Sequence, residues 1–240
     1  MKSPTVLFLL LAACSALAQS NFQNLDFESG TPVPIPGDPY QVLFSPAFPG
    51  WAGYVGTNLQ TAALYNSTFL DSSGVSIIDS GWSATPPPGS FGISGPIEGH
   101  FTAILQAGVV GDITNPQDTS FSQNGLVPPN AKTLLFKAFF PGAGPNLAIS
   151  LGGQALSYSL VSSGTDYGEY GADIHVWAGQ TAELTLTVFA QRPHQFDEYA
   201  FLDSIEFSPV AIPEPNILTL FALGSMLLTW RFLRQTRQLL

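Results

Sequence analysis

Residues 147–160 read LAISLGGQALSYSL, and their spacing decides the fold class. Leu147, Ile149 and Leu151 alternate with Ala148 and Ser150, the period of two that sends successive side chains to opposite faces of a strand. Gly152-Gly153 follows, a pair free to adopt the positive φ of a two-residue turn, and residues 155–160 return. The stretch predicts a β-hairpin. The same period recurs outward in both directions. In TLLFKAFF, residues 133–140, Leu134, Phe136, Ala138 and Phe140 share one face and Lys137 opposes them. Tyr170, Ala172, Ile174 and Val176 share a face of a following strand. Leu184, Leu186 and Val188 do so in the next, with Glu183, Thr185 and Thr187 outward, and FLDSIEF at 201–207 closes the domain. No stretch of the body sustains a 3.6-residue period, and its many glycines and prolines cut it into short segments. Prolines at 32, 34, 36 and 39, and again at 86–88, mark loops or edge segments, since proline cannot donate to a central ladder. The expectation is an all-β chain with one antiparallel β-sandwich, jelly-roll-like, over residues 19–208.

The two ends read as targeting segments. Lys2, the apolar run 6–13 (VLFLLLAA) and Ala16-Leu17-Ala18 make a signal peptide of residues 1–18, cleaved before Gln19. The run is too short to cross a bilayer. Leu11-Ala12-Ala13-Cys14 also resembles a lipoprotein box, in which Cys14 would carry the lipid. Cleavage after Ala18 is preferred because a second anchor stands at the other end. Cys14 is the only cysteine, so the mature domain must hold together without disulfides. Between residues 19 and 212, Lys132, Lys137 and Arg192 face sixteen acidic residues. That balance repels nucleic acid and anionic headgroups and suits cation binding or solubility.

At the C-terminus a proline-rich linker, 209–216, carries Pro213-Glu214-Pro215. Residues 217–230 (ILTLFALGSMLLTW) are then uncharged, and Arg231, Arg234 and Arg237 follow. At about 1.5 Å per residue that run spans about 21 Å, short of a hydrocarbon core of about 30 Å. Extension to Leu233, with Arg231 snorkelling, narrows the gap. Taken alone, a run of 14 apolar residues suits a buried core helix, but this one is apolar all round, follows a proline-rich linker at the end of a β chain, and has its only charges after it. It predicts a transmembrane helix over 217–233 with a basic cytoplasmic tail, 234–240, and the body outside. The order Pro-Glu-Pro, apolar helix, arginine cluster resembles the PEP-CTERM sorting signal of bacterial envelopes. The resemblance implies an exosortase-like membrane protease as partner, acting near the motif, and export alongside extracellular polysaccharide.

Within the body, Asn24-Leu25-Asp26-Phe27-Glu28, Pro49-Gly50-Trp51 and Leu202-Asp203-Ser204-Ile205-Glu206-Phe207 resemble the galactose-binding-like jelly roll shared by many carbohydrate-binding modules. Asp203 shares strand parity with Phe201, Ile205 and Phe207, which predicts a carboxylate on the apolar side, costly unless paired or metal-bound. The resemblance implies that Glu28 and Asp203 help hold a structural calcium, with backbone carbonyls completing the set. A hydrogen-bonded aspartate near a strand end is the alternative. Trp82, Trp51 and Trp177, with Tyr54, are candidates for stacking on sugar rings. Trp51 at a strand start suits a core role, and Trp82 in a Gly/Ser/Pro-rich stretch is the best exposed candidate. Asp173 and His175 are spaced to project from one strand face, and Glu98 lies near His100, but neither pair, nor His194, completes a metal set. No nucleophile elbow, zinc-protease motif or phosphate loop occurs, so no catalytic residue is assigned.

These readings converge on an exported, non-catalytic cell-surface or extracellular-matrix protein sorted by its tail. The alternatives are a carbohydrate-binding module acting on extracellular polysaccharide, a polysaccharide-active enzyme, and a structural adhesin.

Overall fold

The computed structural model describes residues 21–68, 72–82, 93–110, 112–141, 146–191 and 198–212. The signal peptide with Ala16 and Ala18, the motif Pro213-Glu214-Pro215, the apolar run and Arg231, Arg234 and Arg237 lie outside the described residues, as does His194. Among the described residues no helix is long and apolar enough to cross a membrane.

The described residues form sixteen strands: β1 (Pro34–Ile35), β2 (Asp38–Leu43), β3 (Ala52–Val55), β4 (Asn58–Leu59), β5 (Ala62–Tyr65), β6 (Gly74–Ile78), β7 (Thr102–Val110), β8 (Asp112–Gln117), β9 (Thr119–Leu126), β10 (Thr133–Phe139), β11 (Leu147–Leu151), β12 (Gln154–Leu156), β13 (Tyr158–Ser163), β14 (Gly168–Asp173), β15 (Thr181–Val188) and β16 (Glu198–Ser208). One helical turn, α1 (Phe44–Ala47), and one 3-10 turn (His175–Trp177) interrupt them. The larger sheet runs β1-β2-β5-β6-β7-β16-β10-β14-β13, with β8 beside β7, and the smaller runs β12-β11-β15-β9-β3-β4. Among the described residues β5 and β6 are the one pair of these strands that runs parallel, with isolated parallel bridges at Asn21–Leu126 and Ser72–Val109. From β9 onward the chain alternates sheets: β9 in the smaller, β10 in the larger, β11 and β12 in the smaller, β13 and β14 in the larger, β15 back, β16 across again. That alternation is the jelly-roll pattern of two layers wound together.

The hairpin forms, with Gly152 and Gly153 at φ +58° and +77°, but its return is short. Only residues 154–156 pair with β11, and the chain then crosses to the larger sheet as β13. Tyr158 makes the crossing stable: its ring packs on Phe136 and Tyr170 at centroid distances of 5.3 and 5.7 Å, and its hydroxyl donates back to Leu147 O at 2.7 Å.

The core between the sheets takes Leu134, Phe136 and Ala138 from β10 against Leu184, Leu186 and Val188 from β15, all buried, as the alternation requires. Its densest part is aromatic, with Phe27, Phe44, Phe48, Trp51 and Phe121 in mutual contact. A second cluster covers the outer face of the larger sheet. There Trp82 and Ile93, from the connection between β6 and β7, pack with Ile78, Ile104 and Phe201. Strands β6, β7 and β16 are thus sealed on both faces, which is why GVSII at 74–78 is buried throughout rather than alternating.

Two sequence expectations are corrected here. Val176 does not continue the face of Tyr170, Ala172 and Ile174, because β14 ends at Asp173. The Asp173 carboxylate accepts the His175 N–H at 3.0 Å, an Asx-type turn that bends the chain into the 3-10 turn and leaves Val176 exposed. The parity across 201–207 also breaks. Leu135 pairs with Glu206 but Lys137 pairs with Asp203, so β16 holds one residue more than β10, and Ser204 sits at φ +47°. This β-bulge resets the alternation. Phe201 and Asp203 face outward beneath the second cluster, while Leu202 and Ile205 face the main core.

Candidate functional site

The bulge aims Asp203 away from the main core and into a set of hydrogen bonds. Its Oδ2 accepts from Thr102 Oγ1 at 2.6 Å and from the Glu98 N–H at 3.1 Å, and its Oδ1 accepts the Ser204 N–H at 2.7 Å. Thr102 opens β7, so the closing strand, the segment 98–102 and the start of β7 meet on this one carboxyl. Glu28 reaches the same segment from the N-terminal side. Phe27, at φ +60°, turns its ring into the core and hands Glu28 to the outside. Glu28 Oε1 accepts the N–H groups of His100 and Phe101 at 2.8 and 3.0 Å, and Oε2 lies 3.0 Å from His100 Nδ1. Gly99 sits between at φ +60°, where a Cβ would run into the Glu28 carboxylate.

Glu98 completes the ring. It accepts from Lys137 Nζ and, at 2.6 Å, from Ser204 Oγ. Lys137 stands on the outer side of β10, with its ammonium 5.5 Å from the centroid of the Tyr167 ring. These groups surround a cleft of about 410 Å³ lined by carboxylates of Asp26, Glu28, Glu98, Glu169, Asp203 and Glu206, by Lys137 and Ser204, and by the apolar Leu135 and Ile205.

The electrostatics follow from burial and partners. Asp203, 1% exposed, has its pKa raised to about 7, first by burial and then by the charge of Glu28, against the lowering effect of its hydrogen bonds from Thr102, Glu98 and Ser204. Glu28 shifts the other way. Burial pushes it up, but the Phe101 and His100 N–H groups and the His100 ring outweigh that and leave its pKa lowered. For Glu98 the hydrogen bonds from Lys137 and Ser204 dominate and lower the pKa.

The structure therefore brings Glu28 and Asp203 to one cleft from opposite ends of the chain. It also finds partners for Glu98 and His100, which do not pair with each other but with Lys137 and Glu28. Asp173 and His175 pair with each other, Nδ1 to Oδ1 at 2.8 Å, on an exposed turn. Among the described residues no group of three or more His, Cys, Asp and Glu side chains is disposed to hold a metal. Two of the three candidate stacking tryptophans are buried. Trp51 is 6% exposed with its Nε1 donating to Asn24 O at 3.0 Å, and Trp82, expected to be exposed, is 7% exposed. Trp82 lies on the outer face, so its indole covers Phe201 instead of meeting solvent. Trp177 is half-buried against the main core, and Tyr54 is half-buried on β3.

Lys137, Thr102 and Ser204 are among the site residues that sequence spacing did not assign, as are Asp26, Glu169 and Glu206. Lys137 carried a signal, as the single charge inside the apolar run 133–140. Thr102 and Ser204 carried none, since their roles depend on the bulge and on a contact spanning 101 residues.

No known family profile matches the chain, and no curated protein does. Four solved chains match it structurally. One is a carbohydrate-binding module, TmCBM61, solved in complex with β-1,4-galactotriose, at 13% identity, covering 78% of this chain and 97% of that one with a TM-score of 0.36. Another comes from a study of promiscuous carbohydrate-binding modules of the β-sandwich superfamily, at 10% identity, covering 79% of this chain and 62% of that one with a TM-score of 0.38. What those modules bind is a property of those modules.

Proposed function

We propose that the body is a non-catalytic glycan-binding domain of an exported protein, and that the cleft between the segment 98–101 and the outer face of β10, β14 and β16 is its ligand site. The observation that carries this reading is the cleft's lining. The carboxylates of Asp26 and Glu206, the Glu169 oxygen not bonded to Ser162, the Lys137 N–H groups beyond its bond to Glu98 and the Ser204 hydroxyl as an acceptor offer hydrogen bonds to vicinal hydroxyls around an apolar floor at Leu135. Glu28, Glu98 and Asp203 are committed to the segment 98–102 and to Lys137 and Ser204, which suits walls that shape a site rather than groups that act as acid and base. The signal peptide and the tail, read from sequence, support export to the cell envelope, membrane anchoring before processing at Pro213-Glu214-Pro215 by an exosortase-like protease, and final residence at the surface or in the matrix.

The test is retardation of the purified body in gels containing soluble polysaccharides. Lys137→Met and Glu206→Gln should each weaken retardation several-fold without lowering the melting temperature in parallel. Retardation untouched by either substitution contradicts the site. Absence of retardation in every glycan gel favours an adhesin that recognises no sugar.

We infer a structural calcium at the same corner, held by two carboxylates with backbone oxygens rather than by a cluster of three acidic side chains. Asp203 is buried beside a second carboxylate, and no described cationic side chain faces it, Lys137 being engaged by Glu98. Glu28 and Asp203 would hold the ion through the lone pairs left by their hydrogen bonds, with backbone carbonyls beside them, and it would supply the positive charge that two neighbouring carboxylates lack.

A further inference from the structure

The chain leaves β16 along a defined path. The Ser208 carbonyl accepts the Lys132 N–H at 2.8 Å, the Val210 carbonyl accepts Thr133 Oγ1 at 2.7 Å, and the Val210 N–H donates to Ser208 Oγ at 3.2 Å. Ile212 then lies over Gly171 of β14, close enough that a Cβ there would stand 3.0 Å from both Ile212 Cδ1 and Val161 Cγ2. The last described residue is thereby held on the outer face of the larger sheet, at its β13 margin.

From this we propose that the β13–β14 margin, with Val161, Val210, Ile212 and Lys132, is a contact surface for the bilayer that the chain's own tail enters. The inference rests on the membrane-anchored reading of residues 217–233. Residues 213–216 are the whole tether between Ile212 and that apolar run. Fully extended, the five steps from Ile212 to Ile217 reach about 17 Å, and the headgroup layer takes up about 6 Å of that. A body fixed at Ile212 can therefore stand off the headgroups by no more than about 11 Å.

The surface found there suits such a neighbour. Val210 is 70% exposed and Val161 42%. The edge strand β13, YSLVSS, carries no charge, so it meets headgroups without the repulsion that the rest of this acidic body would suffer. Lys132 is exposed beside Val210 and is one of only two lysines in the body, placed where a cation favours anionic lipid. Of the neighbouring acids, Glu169 accepts Ser162 Oγ at 2.8 Å, Asp173 is paired with His175, and Asp166 stands in the bend beyond the end of β13.

The experiment uses the full chain in vesicles of phosphatidylethanolamine and phosphatidylglycerol containing headgroup-proximal spin-labelled lipid. A fluorophore is attached through Val161→Cys or, on the opposite sheet, through Asn58→Cys, each in a Cys14→Ser background. Quenching at position 161 should exceed that at 58 several-fold. A flexible Gly/Ser spacer inserted after Ile212 should bring the two together while the protein stays with the vesicles. Equal quenching in a vesicle-bound chain overturns the contact surface alone. A chain that does not cofractionate with vesicles overturns the anchored reading and the surface with it.

Discussion

Asp203 holds its proton to about pH 7 because burial and the Glu28 charge both oppose ionisation, whereas in the unfolded chain it ionises near the ordinary value of 3.8. A raised folded-state pKa stabilises fully below the unfolded value and loses that contribution as pH rises through the folded one. With metal chelated, the melting temperature should therefore fall as pH is raised from about 4 to about 7. Glu28 has a lowered pKa and acts only at the acid end of this range, so it does not mask the trend. Saturating calcium, which favours the ionised form, should flatten the slope and raise the melting temperature at pH 7, and Asp203→Asn should remove both responses. A melting curve indifferent to calcium and chelator at pH 7, with the acid-side stability intact, means that the proton alone fills this role. A second prediction concerns the segment those carboxylates hold. Gly99→Ala adds a side chain at positive φ against Glu28, and should cost about 1–3 kcal/mol in chemical denaturation and weaken glycan retardation with it. Wild-type stability in that variant would contradict the clamp. Glu28 and Asp203 were legible because an acid among apolar residues at each end of the chain requires a partner. Their true neighbours were not, because the bulge at Ser204 reverses parity and nothing in the local composition announces it.

At the scale of elements, the strands that sequence revealed were those with one solvated face. β10, β11 and β15 alternate because their outer sides carry Lys137, Ser150, Thr185 and Thr187. β6 and β7 did not declare themselves, since burial on both faces abolishes the period. β9 was hidden for the opposite reason. Its Ser122 and Gln123 are polar yet buried, and Gln123 Nε2 is satisfied by Gln23 O at 2.9 Å. The centre of that strand, Phe121, touches Phe27, Phe44, Phe48 and Trp51, so Phe121→Ala should cost about 3–5 kcal/mol and is expected to remain cooperative in denaturant. Trp177→Ala, on a half-buried ring at the periphery, should cost markedly less. Equal penalties would mean that the aromatic cluster is not the centre of the fold.

At the scale of the whole molecule, the proposed function assigns binding to the wound two-layer body that β16 closes and location to the segment that follows it. Deleting residues 217–240 should release a soluble body that melts cooperatively, because the core between the two sheets is built from side chains between Phe27 and Ile205. An insoluble or molten product would make the apolar run part of the core. The reading of the cleft as a glycan site is tested most directly by mapping amide chemical-shift changes in the tail-deleted body on titration with the polysaccharide that retards it in gels. The changes should concentrate at Glu98, Lys137, Glu169 and Ser204 to Glu206 and saturate together. Shifts confined to the smaller sheet, or absent altogether, would contradict it.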